Sequence, residues 1–362
     1  MTKLYNAIGL MSGTSADGVD LSYIRSDGFY EIQNYGNSFY QYSKQFQQNL
    51  QFIIKSNPTL LDIKLFENEL TKIHGNCVNQ FLDDNKINAS EIDVIGFHGH
   101  TILHKPLQQI TWQIGNVDML AKLTSIKVIK NFRTYDIAHG GQGAPLAPIY
   151  HFYLVKDKSK PVLILNIGGI ANITYLENNN EDSIQAFDIC FGNSISDELV
   201  KKNLDINYDN NGEIALSGTI NFKIAKEILE LDIFHKKPIK SYDKLDFDNI
   251  INLLNNLEIN DALATLSYII AKVLEINISK FLPQKPHKII IAGGGRKNKA
   301  IINQIKNLTK DSLVLDADEI GLNGDYIEAE AFAFLAIRRM QRLNNSFEKT
   351  TGISTTGISN CN

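Results

Sequence analysis

The chain has 362 residues with a net charge of −4; 43% of them are hydrophobic and 21% charged. That length exceeds one small core and suits two lobes of ordinary domain size. The composition is that of a folded globular chain, and the absence of any basic block excludes a general nucleic-acid surface. Cys77, Cys190 and Cys361 are odd in number and far apart; they offer no disulfide framework and no paired zinc-ligand spacing, which suits a reducing compartment. The opening M-T-K-L-Y-N-A-I-G-L reaches polar turn residues too soon for a signal peptide, and no apolar run reaches membrane-spanning length. The expectation is a cytoplasmic protein with neither a membrane nor a nucleic-acid partner.

The stretch Ala7 to Asp20, A-I-G-L-M-S-G-T-S-A-D-G-V-D, reads as strand, tight turn, strand. Its turn, Ser12, Gly13, Thr14, Ser15 and Ala16, is rich in backbone N–H groups and hydroxyls. Such a turn can cradle phosphate oxygens, because exposed N–H groups donate and glycine lets the backbone come close. Asp17 and Asp20, flanking Gly18 and Val19, would repel a bare phosphate but suit a hard cation such as Mg²⁺, held through water, between them and it. An ordinary polar hairpin turn is the alternative at this point.

Phe29 to Tyr42 reads as a third strand and a loop, and Gln45 to Lys55 and Leu60 to Leu82 as helices. His74 and Cys77 lie three apart on the second helix, where core packing explains them. Val94 to Phe97 reads as a short strand ending in His98-Gly99-His100-Thr101, with His104 beyond. No helix or strand spacing for zinc accompanies them, so the reading is a strand end presenting polar groups to a ligand. A strand over Thr111 to Ile114, a helix from Gly115 to Leu123 and a strand over Lys127 to Ile129 follow. The loop His139 to Pro148, with its glycines and prolines, is a rigid backbone path. The lobe boundary is placed just after it, giving lobes 1–150 and 151–362.

The second half repeats the opening theme. Val162 to Ile167 is a continuous apolar strand, Gly168-Gly169 a turn, and Ile170 to Tyr175 the return strand, with Asn166 and Asn172 flanking the turn. A third strand, Ile184 to Asp188, leads to Asn193 and a helix from Ser194 to Lys202. Leu204 to Ile214 is loop and Phe234 to Asp246 is lysine-rich and irregular. Helices at Phe222 to Leu231, Phe247 to Leu257 and Ala262 to Phe281 precede the strand Lys288 to Ala292, which ends in Gly293-Gly294-Gly295. A helix from Asn298 to Leu308, a strand over Ser312 to Leu315 and a final helix from Ile327 to Leu343 complete the chain, the last able to pack back on the first lobe. Alternating strands and helices give an α/β architecture.

The chain has no P-loop lysine, no G-x-G-x-x-G after a strand and no protein-kinase motif set. What it has is a polar glycine turn in each half and a late glycine triplet. Two lobes closing on a nucleotide through paired hairpins is the plan of the actin/hexokinase/Hsp70-like ATPases, with duplicated ribonuclease H-like lobes and an interlobe cleft. In that plan the first hairpin holds the β/γ-phosphates, Asn166, Gly168, Gly169 and Asn172 the others, and Gly293, Gly294 and Gly295 the adenosine side.

On these residues the chain resembles the anhydro-N-acetylmuramic acid kinases. The resemblance rests on G-L-M-S-G-T-S-A-D-G-V-D, H-G-H-T, Phe132-Arg133, G-G-Q-G-A-P-L-A-P, N-I-G-G-I-A-N-I-T, F-D-x-x-x-G-N at Phe187 to Asn193 and Y-D-x-x-G at Tyr208 to Gly212. Gly293-Gly294-Gly295 with Asn298, E-A-x-A-F-A from Glu328 and T-T-G-I from Thr350 extend it in order to about residue 354. It implies a sugar kinase that uses ATP and Mg²⁺, opens 1,6-anhydro-N-acetylmuramic acid with water and phosphorylates O6, in peptidoglycan recycling, as a homodimer. It implies Asp188 as the catalytic base, for which hydrolysis of an acetal has a use; a cap on the following helix is the structural alternative. Arg133 matches a donor to the sugar or its lactyl carboxylate. His98, Gln142, Asn193 and Glu328 join it as substrate contacts, and Asn298 joins the nucleotide side.

The chain departs from the family where D-T-G-P-G-N is replaced by Asp188-Ile-Cys-Phe-Gly-Asn193. If that turn approaches ligand, Cys190 crowds it. The competing expectations are therefore a sugar- or nucleotide-binding protein of the same fold with reduced or lost turnover, and a superfamily kinase acting on an ordinary amino sugar without hydrolysis.

Overall fold

The computed structural model describes residues 3–13, 16–156 and 158–354; Thr14, Ser15 and Cys361 lie outside them. The chain divides into two compact units, one of Met1–Leu154, Tyr326–Glu348 and Gly352–Asn362, the other of Val155–Asp325 and Lys349–Thr351.

The first unit opens with an antiparallel meander, β1 (Tyr5–Ser12), β2 (Gly18–Ser26) and β3 (Ile32–Gln41). Helices α1 (Lys44–Lys55) and α2 (Leu60–Asn85) follow, the second started by a capping box between Thr59 and Asp62. The next strand, β4, covers Val94–Lys105, so the histidine stretch is not a strand end but strand interior. Its first half lies parallel to β1, and its polar second half is paired by the antiparallel β5 (Ile110–Ile114). Pairing to β5 satisfies the backbone N–H and C=O groups of that half. Helix α3 (Val117–Thr124), strand β6 (Val128–Ile129) parallel to β4, and helices α4 (Phe132–Ala138) and α5 (Pro148–Leu154) complete this run. Phe46, Phe66, Leu70, Val78 and Phe81 of the helices pack on Ile8, Leu10, Leu21, Ile95 and Phe97 of the sheet. His74 is part of this core, between the rings of Tyr42 and Phe97, with burial pushing its imidazole down to about 4.

The second unit repeats the plan. Strands β7 (Val162–Ile167), β8 (Ile170–Leu176) and β9 (Ile184–Phe191) form a second meander. Helices α6 (Ser194–Leu204), α7 (Glu213–Ser217), α8 (Phe222–Leu229), α9 (Asp248–Leu254) and α10 (Ile259–Phe281) precede β10 (Lys288–Ala292), which lies parallel to β7. Helix α11 (Lys299–Leu308) leads to β11 (Leu313–Asp316), parallel to β10. The order β9-β8-β7-β10-β11 matches β3-β2-β1-β4-β6 strand for strand, each a meander whose first strand takes two further parallel strands on its other side. The duplication that the two glycine hairpins suggest thus extends over whole sheets. Helix α10, at 23 residues, is long and apolar enough to cross a membrane, contrary to the sequence expectation that no run is. It is instead the main core helix of this unit, with Leu263, Leu266, Ile270 and Leu274 buried against the sheet and its neighbours.

The chain then returns to the first unit as α12 (Ile327–Met340), which lies across β1, β2 and β4. The approach is backbone to backbone. Gly9 on β1 and Gly96 on β4 are register partners, and a Cβ built on either would stand 1.9 Å from the Ala329 carbonyl oxygen or 2.0 Å from that of Phe332. Further along α12, Arg338 is buried beside the rings of Phe29, Tyr153 and Phe334 and donates to the carbonyls of Gly28 and Asn344.

Candidate active site

In the first unit, β1 ends at Ser12, whose side chain is buried. Its oxygen accepts from the Tyr42 hydroxyl at 2.8 Å and lies 2.9 Å from His100 Nδ1. Burial drives both neighbours toward neutrality, His100 down to about 4 and the Tyr42 phenol upward. Ser12 therefore acts as an anchor of the turn. The turn continues with Gly13, whose carbonyl accepts from the Ala16 N–H at 3.0 Å, and Ala16 has φ 56°. Tyr42 N–H donates to the Asp17 carbonyl at 2.8 Å, which fixes the exit of the turn. Asp17 is exposed, Gly18 and Val19 are buried at the start of β2, and Asp20 is half-buried on that strand. Thr14 and Ser15 lie outside the described residues. Among the described residues no group of three His, Cys, Asp or Glu side chains makes a metal cage. Two carboxylates beside a phosphate-type turn are nonetheless the donor set Mg²⁺ uses when substrate oxygens and water supply the rest.

A second cluster in the same unit surrounds Arg133, on α4. Its Nε donates to His98 Nε2 at 2.9 Å and its Nη1 to the Gly143 carbonyl at 2.9 Å. His98 in turn uses Nδ1 toward the Gly99 carbonyl at 2.8 Å. An imidazole accepting at Nε2 and donating at Nδ1 is neutral, and burial with the adjacent Arg133 charge holds it well below its usual range. The Gly141 to Gly143 segment is pinned by Asp136, buried on α4. Its carboxylate accepts the Gly143 N–H at 2.6 Å and the Ser346 hydroxyl. Gln142 is half-buried within this segment. Glu328 stands exposed in the first turn of α12, within electrostatic reach of Arg133, whereas Glu330, buried two residues on, accepts from Tyr150 and Asn34 at 2.6 Å each. Asp136→Ala is expected to leave the Gly143 N–H and the Ser346 hydroxyl without their buried acceptor. Equilibrium unfolding in urea should then show a loss of about 2–3 kcal/mol.

In the second unit three turns meet. Gly168 and Gly169 accept from the N–H groups of Asn193 and Gly192, both at 2.8 Å. The Asn193 side chain reaches the Ile167 carbonyl at 3.4 Å. Gly293, with φ 76°, approaches so closely that a Cβ there would lie 2.5 Å from Asn166 Oδ1. Asn166, Gly168, Gly169, Asn193 and Gly293 are therefore neighbours, and Asn172 is the register partner of Asn166. Gly294 is exposed and Gly295 buried against Ile167. Asn298 caps α11, its Oδ1 accepting from Ala300 and Ile301 N–H, which commits that oxygen to the helix.

Asp188 lies on β9 where the pairing with β8 slips: Asn172 faces Asp188 while Ala171 faces Cys190. Ile189 is the extra residue of this bulge, a device that re-aims neighbouring side chains. Asp188 is buried, its Oδ2 accepts the Tyr242 N–H at 2.8 Å, and its own N–H donates to the Lys240 carbonyl at 3.1 Å. It caps no helix, since α6 begins at Ser194 with Asn193 as its cap position. Ile189, Cys190 and Phe191 are all fully buried in the core of the unit. The replaced residues are thus absorbed by packing, and Cys190 has no exposed surface with which to crowd a ligand. Sequence reasoning missed Tyr42, Asp136, Lys240 and Tyr242. Lys240 sits in the stretch that reads as lysine-rich and irregular, and it is buried.

Residues 5–359 match the family described as anhydro-N-acetylmuramic acid kinase. The chain is 39% identical over 356 residues to the anhydro-N-acetylmuramic acid kinase of Zymomonas mobilis, covering 96% of each. It is 36% identical over 372 residues to that of Pelagibacter ubique, covering 99% of this chain and 98% of the other. Among solved structures it is similar to component A of the (R)-2-hydroxyglutaryl-CoA dehydratase of Acidaminococcus fermentans, with a TM-score of 0.50 and 11% identity, over 93% of this chain and 99% of that one. That likeness bears on fold alone and agrees with the duplicated α/β plan of the actin/hexokinase/Hsp70 type.

Proposed function

We propose, from the premise that the chain belongs to the anhydro-N-acetylmuramic acid kinase family, that it opens 1,6-anhydro-N-acetylmuramic acid with water and passes the γ-phosphate of ATP to O6. The products are N-acetylmuramic acid 6-phosphate and ADP, and the setting is peptidoglycan recycling in the cytoplasm. What carries the reading is the match at 39% identity along 96% of both chains.

The residues support a division of labour. Asp188, on β9 with its Oδ2 accepting the Tyr242 N–H, takes a proton from the water that attacks C1. The departing O6 attacks phosphorus directly, so that one carboxylate suffices where glycosidases use two. Arg133, oriented through His98 and Gly143, meets the sugar or its lactyl carboxylate with a planar fork suited to it. His98, Gln142, Asn193 and Glu328 complete the sugar contacts. The turn from Ser12 to Asp20 and the turn from Asn166 to Asn172 take phosphates, and Gly293 to Gly295 with Asn298 take the adenosine side. Asp17 and Asp20 would hold Mg²⁺ through water, and the ion would supply a charge that offsets that of the phosphates. The working form is a homodimer.

Mass spectrometry of a reaction in ¹⁸O water, with Mg-ATP and the anhydro sugar, tests this reading. One heavy oxygen at C1 of the sugar phosphate, matched by ADP, is the expected result. A phosphorylated sugar without that oxygen, or no product, would sink the coupled reaction.

A further inference from the structure

A buried lysine stands behind Asp188. Lys240 is 5% exposed, and among the described residues its amine forms no salt bridge. It donates to Asn277 Oδ1 on α10 at 3.2 Å and lies 5.5, 5.8 and 5.6 Å from the ring centres of Phe187, Tyr242 and Phe281. A cation taken out of water without a paired carboxylate is costly, and a neutral amide and three aromatic faces offset that cost only in part. A stabilising core would be better served by an apolar side chain of similar volume. The same segment touches Asp188 twice, through the Lys240 carbonyl and the Tyr242 N–H.

We propose that Lys240 is a positioning residue for Asp188: its backbone straps the aspartate in place, and its buried ammonium holds the carboxylate in the charged form that can accept a proton. The inference rests on the reading of Asp188 as the general base. The titratable groups acting on the amine are Cys190 and Asp188 from β9 and Lys236 from its own segment, while α10 brings the Asn277 amide and the Phe281 ring. Burial raises the Cys190 thiol, so it stays neutral, and Asp188 is the carboxylate of the group. Burial pulls the Lys240 amine down to about 8, with Cys190 and Asp188 opposing, which leaves it charged at neutral pH. Tyr242 is pushed up by burial and by Asp188, and carries no charge there.

The sign of the effect follows. A positive charge nearby lowers a carboxylate's pKa, so removing it raises that pKa, and the acid limb of the pH–rate profile moves to higher pH. In Lys240→Met the limb of kcat/KM for the sugar is expected to rise by about one pH unit, a roughly tenfold loss on the acid side, whereas Lys240→Arg should leave it near the wild-type position. Asn277→Asp keeps the shape and places a carboxylate against the ammonium, and should move the limb the same way, which covers the case of an unfolded Lys240→Met. A merely structural lysine would alter Tm and the height of the profile without moving the limb. An unmoved limb in folded Lys240→Met or in Asn277→Asp, beside an inactive Asp188→Asn, overturns the role of Lys240 while leaving the base intact. Turnover that persists in Asp188→Asn overturns the base reading itself, and Lys240 then has no base to act on.

Discussion

Asp188→Asn is expected to cut formation of the sugar phosphate by about a thousandfold or more while leaving a folded protein that still binds ATP and sugar. The amide has nearly the shape of the carboxylate, and its oxygen can accept the same Tyr242 N–H that Oδ2 accepts at 2.8 Å. The backbone bond from the Asp188 N–H to the Lys240 carbonyl does not involve the side chain at all. What the substitution removes is the ability to take a proton, which is the role proposed here for Asp188. The effect should fall on kcat, with little change in sugar affinity by calorimetry, because the lost interaction belongs to the transition state. Turnover within tenfold of the unaltered protein would show that Asp188 holds substrate but does not activate water.

The second large effect is on stability and lies away from the chemistry. Gly96→Ala places a methyl 2.0 Å from the Phe332 carbonyl oxygen and 2.6 Å from its carbon. Both atoms belong to the backbone of α12, so no rotamer change relieves the overlap, and the helix must shift from the sheet. Overpacking of this kind costs about 3 kcal/mol or more, a large part of a stability that is usually about 5–15 kcal/mol. Urea unfolding should show a fall in midpoint of that size, or the variant should be recovered only as aggregate. Gly140→Ala is the control. Its φ is 89°, but no atom lies within 4 Å of its added Cβ, so only the backbone penalty of about 1–2 kcal/mol applies. Equal losses in the two variants would mean that the contact with α12 yields easily.

Much of this fold is legible because buried parallel strands leave continuous apolar runs. Val162 to Ile167 and Lys288 to Ala292 show this plainly, and both are strands as read. The glycine hairpins are equally visible, since a tight approach of backbones admits few other residues. Elements that depend on distant partners are not visible. The second half of β4, with Ile102 and Leu103 set among polar residues, has no continuous apolar run and is paired as strand by β5, which folds back on it. Helix α4 begins after Asn131 in a left-handed conformation with no side-chain cap, and α5 begins at Pro148, where a proline reads as loop although a first helical turn tolerates it.

The candidate site divides in the same way. Asp188, Arg133 and the glycine turns are recognisable as motif residues. The groups that hold them lie further off in sequence: His98 accepts from Arg133 across 35 positions, Ser346 meets Asp136 across 210, and Tyr242, at the end of the strap from Lys240, is 54 residues beyond Asp188. Ser12 shows the opposite difficulty. A serine in a phosphate-type turn suggests a ligand, yet Tyr42 and His100 occupy its oxygen.

The return of α12 to the first sheet has a consequence for how the protein is made. On the ribosome, strands β1 and β4 emerge early, but the helix that covers their glycine-lined face is not complete until Met340 has been added. Val155–Asp325, by contrast, is continuous and fully available before that helix begins. For the time it takes to add some two hundred further residues to the nascent chain, an apolar, unpartnered sheet face is therefore exposed to the crowded interior of the cell. Anything that slows elongation between β4 and α12 lengthens that exposure, and with it the demand on chaperones.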